Sequence, residues 1–531
     1  MNLLHELPLM SAAREAGRAA LTHGGASLTY GDLATLIERV AAGLIQLGTW
    51  RGERVAIYLD KRLETVAAAF GAAACGGVFV PVNPLLKADQ VGHILSDCTA
   101  RVLVTSADRM DAIAPALLSC RGLRQIVLVD GPVANTNGPQ DRVAWASLIA
   151  GGGGRTHRVI DTDMAAILYT SGSTGRSKGV VLSHRHMVAG ARSVASYLEN
   201  RPSDTLLAAL PLSFDAGFSQ LTTAFSVGAR VVLLNYLMPR DVLDAVAHER
   251  VTGLTAVPPL WIRLSQLAWP KDVGQHLRYI ANTGGRMPRE TLAQLRRLLP
   301  TTRTYLMYGL TEAFRSTFLE PSEVDRRPDS IGKAIPNAEI LVLRPDGSVC
   351  EPDEPGELVH RGALVAMGYW NDAEKTAERF RPLPDGVGGR ESGMVLPEIA
   401  VFSGDVVRMD GDGYLYFVGR HDEMIKTSGY RVSPTEIEEA LYDTQLVGEA
   451  AAFGVADATL GQSITVVVTP PADGRLDVER LLDECRKRLP AYMVPARIEV
   501  HAGPLPRNPN GKIDRRLLAE AHQERPSGVH A

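Results

Sequence analysis

The sequence predicts an α/β protein: a large N-terminal domain of layered α/β subdomains with a small β unit, followed by a small α+β C-terminal domain. Three observations predict it. Apolar β-branched runs alternate with helical patterns up to about residue 300, the texture turns to short strands and frequent turns from about Ser330, and a compact α+β pattern follows His421. A chain of 531 residues also exceeds what one hydrophobic core serves, so two or more domains are expected.

Arg54–Leu59, Val102–Thr105, Gln125–Val129, Ala165–Tyr169 and Arg230–Leu234 read as short buried strands, with helical patterns such as Tyr30–Leu47 and Asp241–His248 among them. Strands alternating with helices imply parallel layers. The uncharged stretch Thr65–Leu86 has the length of a membrane span, but Gly76-Gly77 and Pro81 break it. A helix over Val66–Cys75 and a buried strand over Val78–Val82 fit it better. Gly151–Gly154 reads as a flexible loop. Between Ser330 and Arg420, turns at Pro345-Asp346-Gly347, Glu354-Pro355-Gly356 and Asp410-Gly411-Asp412-Gly413 mark a small antiparallel β unit. Beyond it come helix Pro434–Tyr442, strand Ile464–Thr469, helix Val478–Leu489 and strand Ile498–Val500, with a frayed tail from about Gln523.

Composition narrows the function classes. Hydrophobic residues make up 45% and charged residues 22%, an ordinary globular balance. The net charge of -4, without a long single-sign run, gives no electrostatic case for nucleic acid or an anionic membrane. Cys75, Cys98, Cys120, Cys350 and Cys485 form no C-x-x-C pair, which argues against a zinc site or redox dithiol and suits a cytoplasmic enzyme with reduced thiols. His5, Glu6 and Pro8 interrupt any signal-peptide core. No integral membrane segment is expected.

The densest motif is Tyr169-Thr-Ser-Gly-Ser-Thr-Gly-Arg-Ser-Lys-Gly-Val180, at the end of a predicted buried strand. Its glycines let backbone N–H groups turn toward an anion. Ser171, Ser173 and Thr174 offer hydroxyl donors, and Lys178 offers charge against phosphate. This is a polyphosphate loop but not a Walker A loop, because G-x-x-x-x-G-K-[ST] occurs nowhere in the chain.

The loop closely resembles the phosphate loop of the AMP-forming adenylating enzymes, which include acyl-CoA synthetases, peptide-synthetase adenylation domains and luciferases. Further motifs follow in the family order over nearly the whole chain. Tyr308-Gly309-Leu310-Thr311-Glu312 resembles the second signature: the aromatic lies against the purine, Thr311 bonds the reacting phosphate, and Glu312 supplies an oxygen ligand for Mg²⁺. Read locally, the same residues are also a strand end and a helix cap. Gly404-Asp405 resembles the ribose-binding aspartate, or else a turn aspartate. In Gly419-Arg420-His-Asp-Glu, the resemblance makes Arg420 a nucleotide contact and Asp422 the hinge of a mobile C-terminal domain. Lys426-Thr-Ser-Gly429-Tyr-Arg431 resembles the loop that faces the thiol acceptor, and Pro506-Arg-Asn-Pro-Asn-Gly-Lys512-Ile-Asp the catalytic-lysine loop. By the same resemblance Thr170, Ser171, Gly172, Ser173, Thr174, Gly175 and Lys178 hold the ATP phosphates, while Gly284, Gly285, Tyr308 and Gly309 contact the nucleotide.

One departure concerns the acid. Where many acyl-CoA synthetases carry a histidine, this chain reads Leu210-Pro-Leu-Ser-Phe214-Asp215-Ala-Gly-Phe218. Phe-Asp there resembles amino-acid adenylation domains, whose aspartate pairs with the substrate ammonium; a helix-capping aspartate is the alternative. The acid pocket is expected around Phe214, Asp215, Val257, Asn282, Thr283, Gly284, Gly285 and Tyr308, and Arg315 is expected at the surface. Tyr308-Gly-Leu-Thr-Glu-Ala-Phe-Arg-Ser-Thr317, Asp325-Arg-Arg-Pro-Asp-Ser-Ile-Gly-Lys333 and Ile425–Pro434 resemble most closely the acyl-CoA ligases associated with exosortase A systems.

The resemblance implies an ATP- and Mg²⁺-dependent acid–thiol ligase. It converts a small carboxylic acid to an acyl-adenylate with release of pyrophosphate, then transfers the acyl group to a thiol. CoA is the expected acceptor, with the phosphopantetheine of a separate carrier protein, acting in trans, as the alternative. A catalytically inactive nucleotide-binding regulator is the reading of another class; the joint presence of Lys178, Glu312, Asp405 and Lys512 argues against it.

Overall fold

A computed structural model describes residues 2–523 apart from 132, 134–139, 152–155, 171–176, 390–395, 421–422, 428–429, 458–459, 472–473, 475 and 509–510. Most of the Gly151–Gly154 loop, most of the phosphate loop and the expected frayed tail therefore lie outside the described residues.

The chain forms a mixed α/β structure with a large N-terminal and a small C-terminal domain. Among the described residues it builds three sheets. The first is a seven-stranded sheet in which Asp141–Ala144, Gln125–Leu128, Val102–Thr105, Arg54–Tyr58, Val78–Pro81 and Met164–Thr170 run parallel, and Lys178–Ser183 closes the edge antiparallel. The second sheet has fourteen strands. Its parallel part holds Arg303–Tyr308, Tyr279–Asn282, Gly253–Ala256, Thr205–Ala208, Arg230–Leu233 and Ala19–His23. The expected β unit is antiparallel, and it continues this second sheet: Thr317–Leu319 pairs with Arg303–Tyr308, Ser330–Ala334 pairs with Thr317–Leu319, and Leu415–Arg420, Ile399–Met409, Gly356–Gly362 and Ala338–Leu343 follow. A third sheet of five strands, in which central Gly461–Val468 pairs with edge strand Ala450–Asp457, carries its own apolar core of Ile437, Leu441, Ile464, Val466 and Leu481.

Helices fill the space between the first two sheets. Leu63–Cys75 is buried on nearly every face, which explains its uncharged, alanine-rich sequence without a bilayer. No helix among the described residues is long and apolar enough to cross a membrane. Phe70 and Phe79 from the first sheet's layer stack on Phe218 of helix Asp215–Val227, at centroid distances of 5.7 and 4.7 Å. Such packed ring pairs fix one layer against the other. Helix Tyr30–Gln46 starts where Thr29 and Asp32 form a reciprocal capping box.

Observed boundaries differ from the sequence reading by a few residues: helix Leu63–Cys75 begins earlier, and strands Val78–Pro81 and Gly461–Val468 shift at their ends. Backbone hydrogen bonds, which periodicity does not report, decide these terminal residues.

Gly217 lies in the first turn of helix Asp215–Val227, against the carbonyl of Pro211, where a Cβ would collide with backbone. Alanine gains at most about 1 kcal/mol of helix propensity, whereas overpacking costs about 1–3 kcal/mol. Gly217→Ala is therefore expected to lower the thermal unfolding midpoint; a midpoint equal to or above that of the parent chain would contradict the packing.

Candidate active site

A cleft of about 2380 Å³ opens along the carboxyl ends of the parallel strands and extends to the small domain. Ligand sites of open α/β sheets form at this edge because the loops leaving neighbouring strands converge there. After Thr205–Ala208 the chain runs to Phe214 and Asp215, after Gly253–Ala256 to Val257, after Tyr279–Asn282 to Thr283, Gly284 and Gly285, and Arg303–Tyr308 ends on Tyr308 itself.

The loop that carries Lys512 reaches this edge. A Cβ built on Gly284, whose φ is +76°, would lie 3.1 Å from Val257 Cγ1, 3.7 Å from Lys512 Cε and 3.8 Å from Phe214 Cζ. Lys512, Phe214 and Val257 thus surround one point beside the glycine pair. The loop is held locally: Lys512 N–H donates to Asn508 Oδ1 at 3.0 Å, and Asn508 N–H donates to the Lys512 carbonyl at 2.8 Å. Lys512 as a residue is exposed. Even so, desolvation of its ammonium in the cleft holds it below the ordinary lysine range, against the attraction of Asp215 and Asp405.

The two carboxylates are each braced by an arginine. Asp405 on Ile399–Met409 pairs across the sheet with Arg420 on Leu415–Arg420, Nη1 to Oδ1 at 3.3 Å, and also accepts the Tyr308 hydroxyl. Burial raises the Asp405 carboxyl, with Arg420 and the tyrosine acting in the opposite direction. Asp215 is 3% exposed and pairs with Arg315 Nη1 at 3.1 Å. Desolvation raises its carboxyl as well, and Arg315 and Lys512 partly offset this. Arg315, expected at the surface, is only 2% exposed. The reason lies in the backbone: after the turn Thr311–Ala313, Phe314 adopts φ +58°, and the chain folds back along Arg303–Tyr308, carrying the guanidinium inward.

Buried polar atoms around the cleft without a hydrogen-bond partner in the protein include Ser213 Oγ, Asp215 Oδ1, Asn282 Oδ1 and Arg315 Nε. Buried polar atoms are nearly always satisfied, so an orphaned set beside a cleft suits the polar groups of a ligand.

On the phosphate side, Thr170 and Lys178 oppose each other across the antiparallel pair. Ser171, Gly172, Ser173, Thr174 and Gly175 lie outside the described residues, as do Asp422 and Gly429. Glu312 Oε1 accepts the Tyr369 hydroxyl at 2.6 Å, and Lys178 Nζ sits 5.7 Å from the centroid of the same ring. Tyr369 was not singled out by sequence reasoning, whose only available signal was an aromatic pair after Gly368. Its position depends on the β unit docking on Lys178–Ser183, where Trp370 N–H donates to the Gly179 carbonyl at 2.7 Å. Thr311 is buried, and Gly309 permits close approach to the Arg315 backbone.

Comparison with known proteins agrees with this geometry. The family model described as AMP-binding enzyme matches residues 10–370, and the one described as AMP-binding enzyme C-terminal domain matches residues 436–512. An L-proline–[L-prolyl-carrier protein] ligase of Streptomyces coelicolor is 32% identical over 98% of this chain and 97% of that protein. A feruloyl-CoA synthase of Amycolatopsis sp is 31% identical over 95% of this chain and 96% of that protein. The crystallised o-succinylbenzoate coenzyme A synthetase of Bacillus subtilis, in complex with ATP and magnesium ion, superposes with a TM-score of 0.81 at 25% identity, covering 97% of this chain and 99% of that one.

Breaking a buried pair strands a charge at a cost of about 3–5 kcal/mol, whereas replacing both members costs far less. Arg315→Met is expected to lower the thermal midpoint of the large domain sharply, and Asp215→Asn in the same chain to recover most of the loss. Additive damage in the double variant would refute the pairing.

Proposed function

The chain belongs to the AMP-binding enzyme family, and from that premise we propose which residues carry each step of its reaction. It is an AMP-forming acid–thiol ligase: it activates a carboxylic acid with ATP and passes the acyl group to a thiol. The observation that carries the residue assignment is the placement of Lys512, from the small domain, against Gly284, Val257 and Phe214 of the large one.

In the first step a carboxylate oxygen attacks the α-phosphorus, the bond to the bridging oxygen breaks, and pyrophosphate leaves. The acyl-adenylate remains. Two anions must approach each other, so the protein's task is to position them and neutralise charge. A desolvated ammonium attracts anions strongly, and Lys512 bridges the acid carboxylate and the α-phosphate. Thr170 to Lys178 hold the β- and γ-phosphates, Tyr308 and Gly284-Gly285 flank the base, Asp405 and Arg420 take the ribose side, and Thr311 binds the reacting phosphate. Glu312 would hold Mg²⁺, which would supply charge neutralisation for the departing pyrophosphate. No cluster of three metal-ligating side chains exists among the described residues. That suits a metal bound through one carboxylate and substrate oxygens.

In the second step the acceptor sulfur attacks the carbonyl carbon as a thiolate, its proton lost to solvent. The bond from that carbon to the phosphate oxygen breaks, and AMP departs. Asp422 is the hinge and Gly429 the acceptor-side loop for this step. The division between domains falls at 420/421, where strand Leu415–Arg420 ends the large sheet, with about 330–420 as the small β unit. A cytoplasmic location, where ATP and CoA are at hand, belongs to the same reading.

CoA is the acceptor in the first reading. A second is favoured by the orphaned Oδ1 of Asp215 and by the prolyl-carrier ligase relatives: an amino or imino acid whose ammonium donates to Asp215, loaded onto a separate carrier protein. Acid-dependent pyrophosphate exchange with amino acids and their deaminated analogues, followed by free CoA against carrier-bound phosphopantetheine, separates the two. Exchange with the amino acid alone decides for the second; exchange with the deaminated acid and turnover with CoA decides for the first.

Lys512→Ala should slow acid-dependent pyrophosphate exchange roughly 10²–10³-fold, the scale of losing one preorganised donor in the transition state. Thioester formation from supplied acyl-AMP should stay close to that of the parent enzyme. Equal damage to both half-reactions would overturn the role of Lys512.

A further inference from the structure

Arg286 directly follows the glycine pair that receives Lys512, and it also contacts the small domain. Its Nη1 pairs with Glu439 on helix Pro434–Tyr442, while its Nη2 pairs with Asp329 of the large domain at 2.5 Å. Arg289 shares Asp329, Nε to Oδ1 at 2.6 Å. Asp443, four residues beyond Glu439, acts electrostatically on both arginines. Side-chain exposures of 22% for Arg286, 28% for Asp329 and 33% for Glu439 place the group at a partly covered domain boundary. Two cations of the large domain thus share one anion of their own domain, Asp329, and Arg286 also meets Glu439 of the small one.

We propose that Arg286 and Glu439 form a latch that holds the small domain with Lys512 in the cleft, and that Asp329 lets it open by keeping Arg286 compensated once Glu439 departs. This rests on the adenylation role of Lys512 given above. A latch made of one isolated ion pair would strand a half-buried charge on release, at a large desolvation cost. Here the small domain withdraws Glu439 and Asp443 together, their charges return to water, and Arg286 and Arg289 keep Asp329. Closure is favoured without being locked, as an enzyme that must present two arrangements in each turnover requires. Arg286 and Glu439 are positioning residues, acting on the reaction only through Lys512.

The test pairs a distance with the two half-reactions. Spin labels go on Leu237→Cys, 94% exposed on the large domain, and Arg486→Cys, 61% exposed on the small one, in a Cys350→Ser background. Double electron–electron resonance then reads the closed fraction in the full chain. Glu439→Gln should lower the closed-to-open ratio roughly 2–5-fold, as loss of a partly exposed ion pair implies. It should lower acid-dependent pyrophosphate exchange in proportion and leave thioester formation from supplied acyl-AMP equal or faster. Asp329→Asn should act in the opposite sense, raising the closed fraction and slowing the thioester step. An unchanged distance distribution in Glu439→Gln, or equal losses in both half-reactions, would overturn the latch. A parent enzyme without acid-dependent exchange would count against the adenylation reading, while the distances would still decide the latch.

Discussion

An ammonium group held in a desolvated cleft is the constraint from which the rest of this structure follows. Lys512 loses hydration on entering the cleft, and attraction to Asp215 and Asp405 only partly compensates. Those carboxylates are themselves pushed upward by burial, and Arg315 and Arg420 oppose that shift. Each charge is thus tolerated because a neighbour of opposite sign stands within reach, and the set as a whole is poised for further anions. Charges placed in this way cost nothing to reorient when a negative transition state forms.

The architecture supplies this arrangement by pointing strand ends at one place. The two large sheets pack through Phe70, Phe79, Phe218 and Phe225, so the helix that starts at Asp215 is fixed by its apolar length. The antiparallel continuation of the second sheet then bends Asp405 and Arg420 over the end of Tyr308. Its segment around Tyr369 returns to the phosphate strand, joining Glu312 to the neighbourhood of Lys178 through one ring. A single side chain thereby joins Glu312, in the turn after Arg303–Tyr308, to Lys178 on the edge strand of the first sheet.

In the proposed reaction the small domain delivers Lys512 for one step and must also be able to leave. The interface therefore has to be polar and compensated on both sides, in contrast with the apolar layers of the large domain. Arg286 and Arg289 share Asp329 within the large domain, so each guanidinium keeps a carboxylate partner that does not depend on the small domain. The core around Ile437, Leu441 and Val466 gives that domain packing of its own.

The sequence by itself determined the layered α/β plan, because hydrophobic periodicity and turn residues act locally. Strand Val102–Thr105 and helix Pro434–Tyr442 are found where the pattern put them. It also determined the adenylating family, because the spacing within Tyr169–Val180 and Tyr308–Glu312 is a local signature of phosphate chemistry, and the family models match the chain over those regions. Only the tertiary structure decided which charges face one another. Arg315 reads as a surface arginine until the left-handed kink at Phe314 turns it onto Asp215. Tyr369 reads as one aromatic among many until the β unit docks, and Glu439 as an ordinary helix acid until Arg286 meets it. Coulombic and desolvation energies depend on distances between residues far apart in the chain, and no local pattern carries those distances.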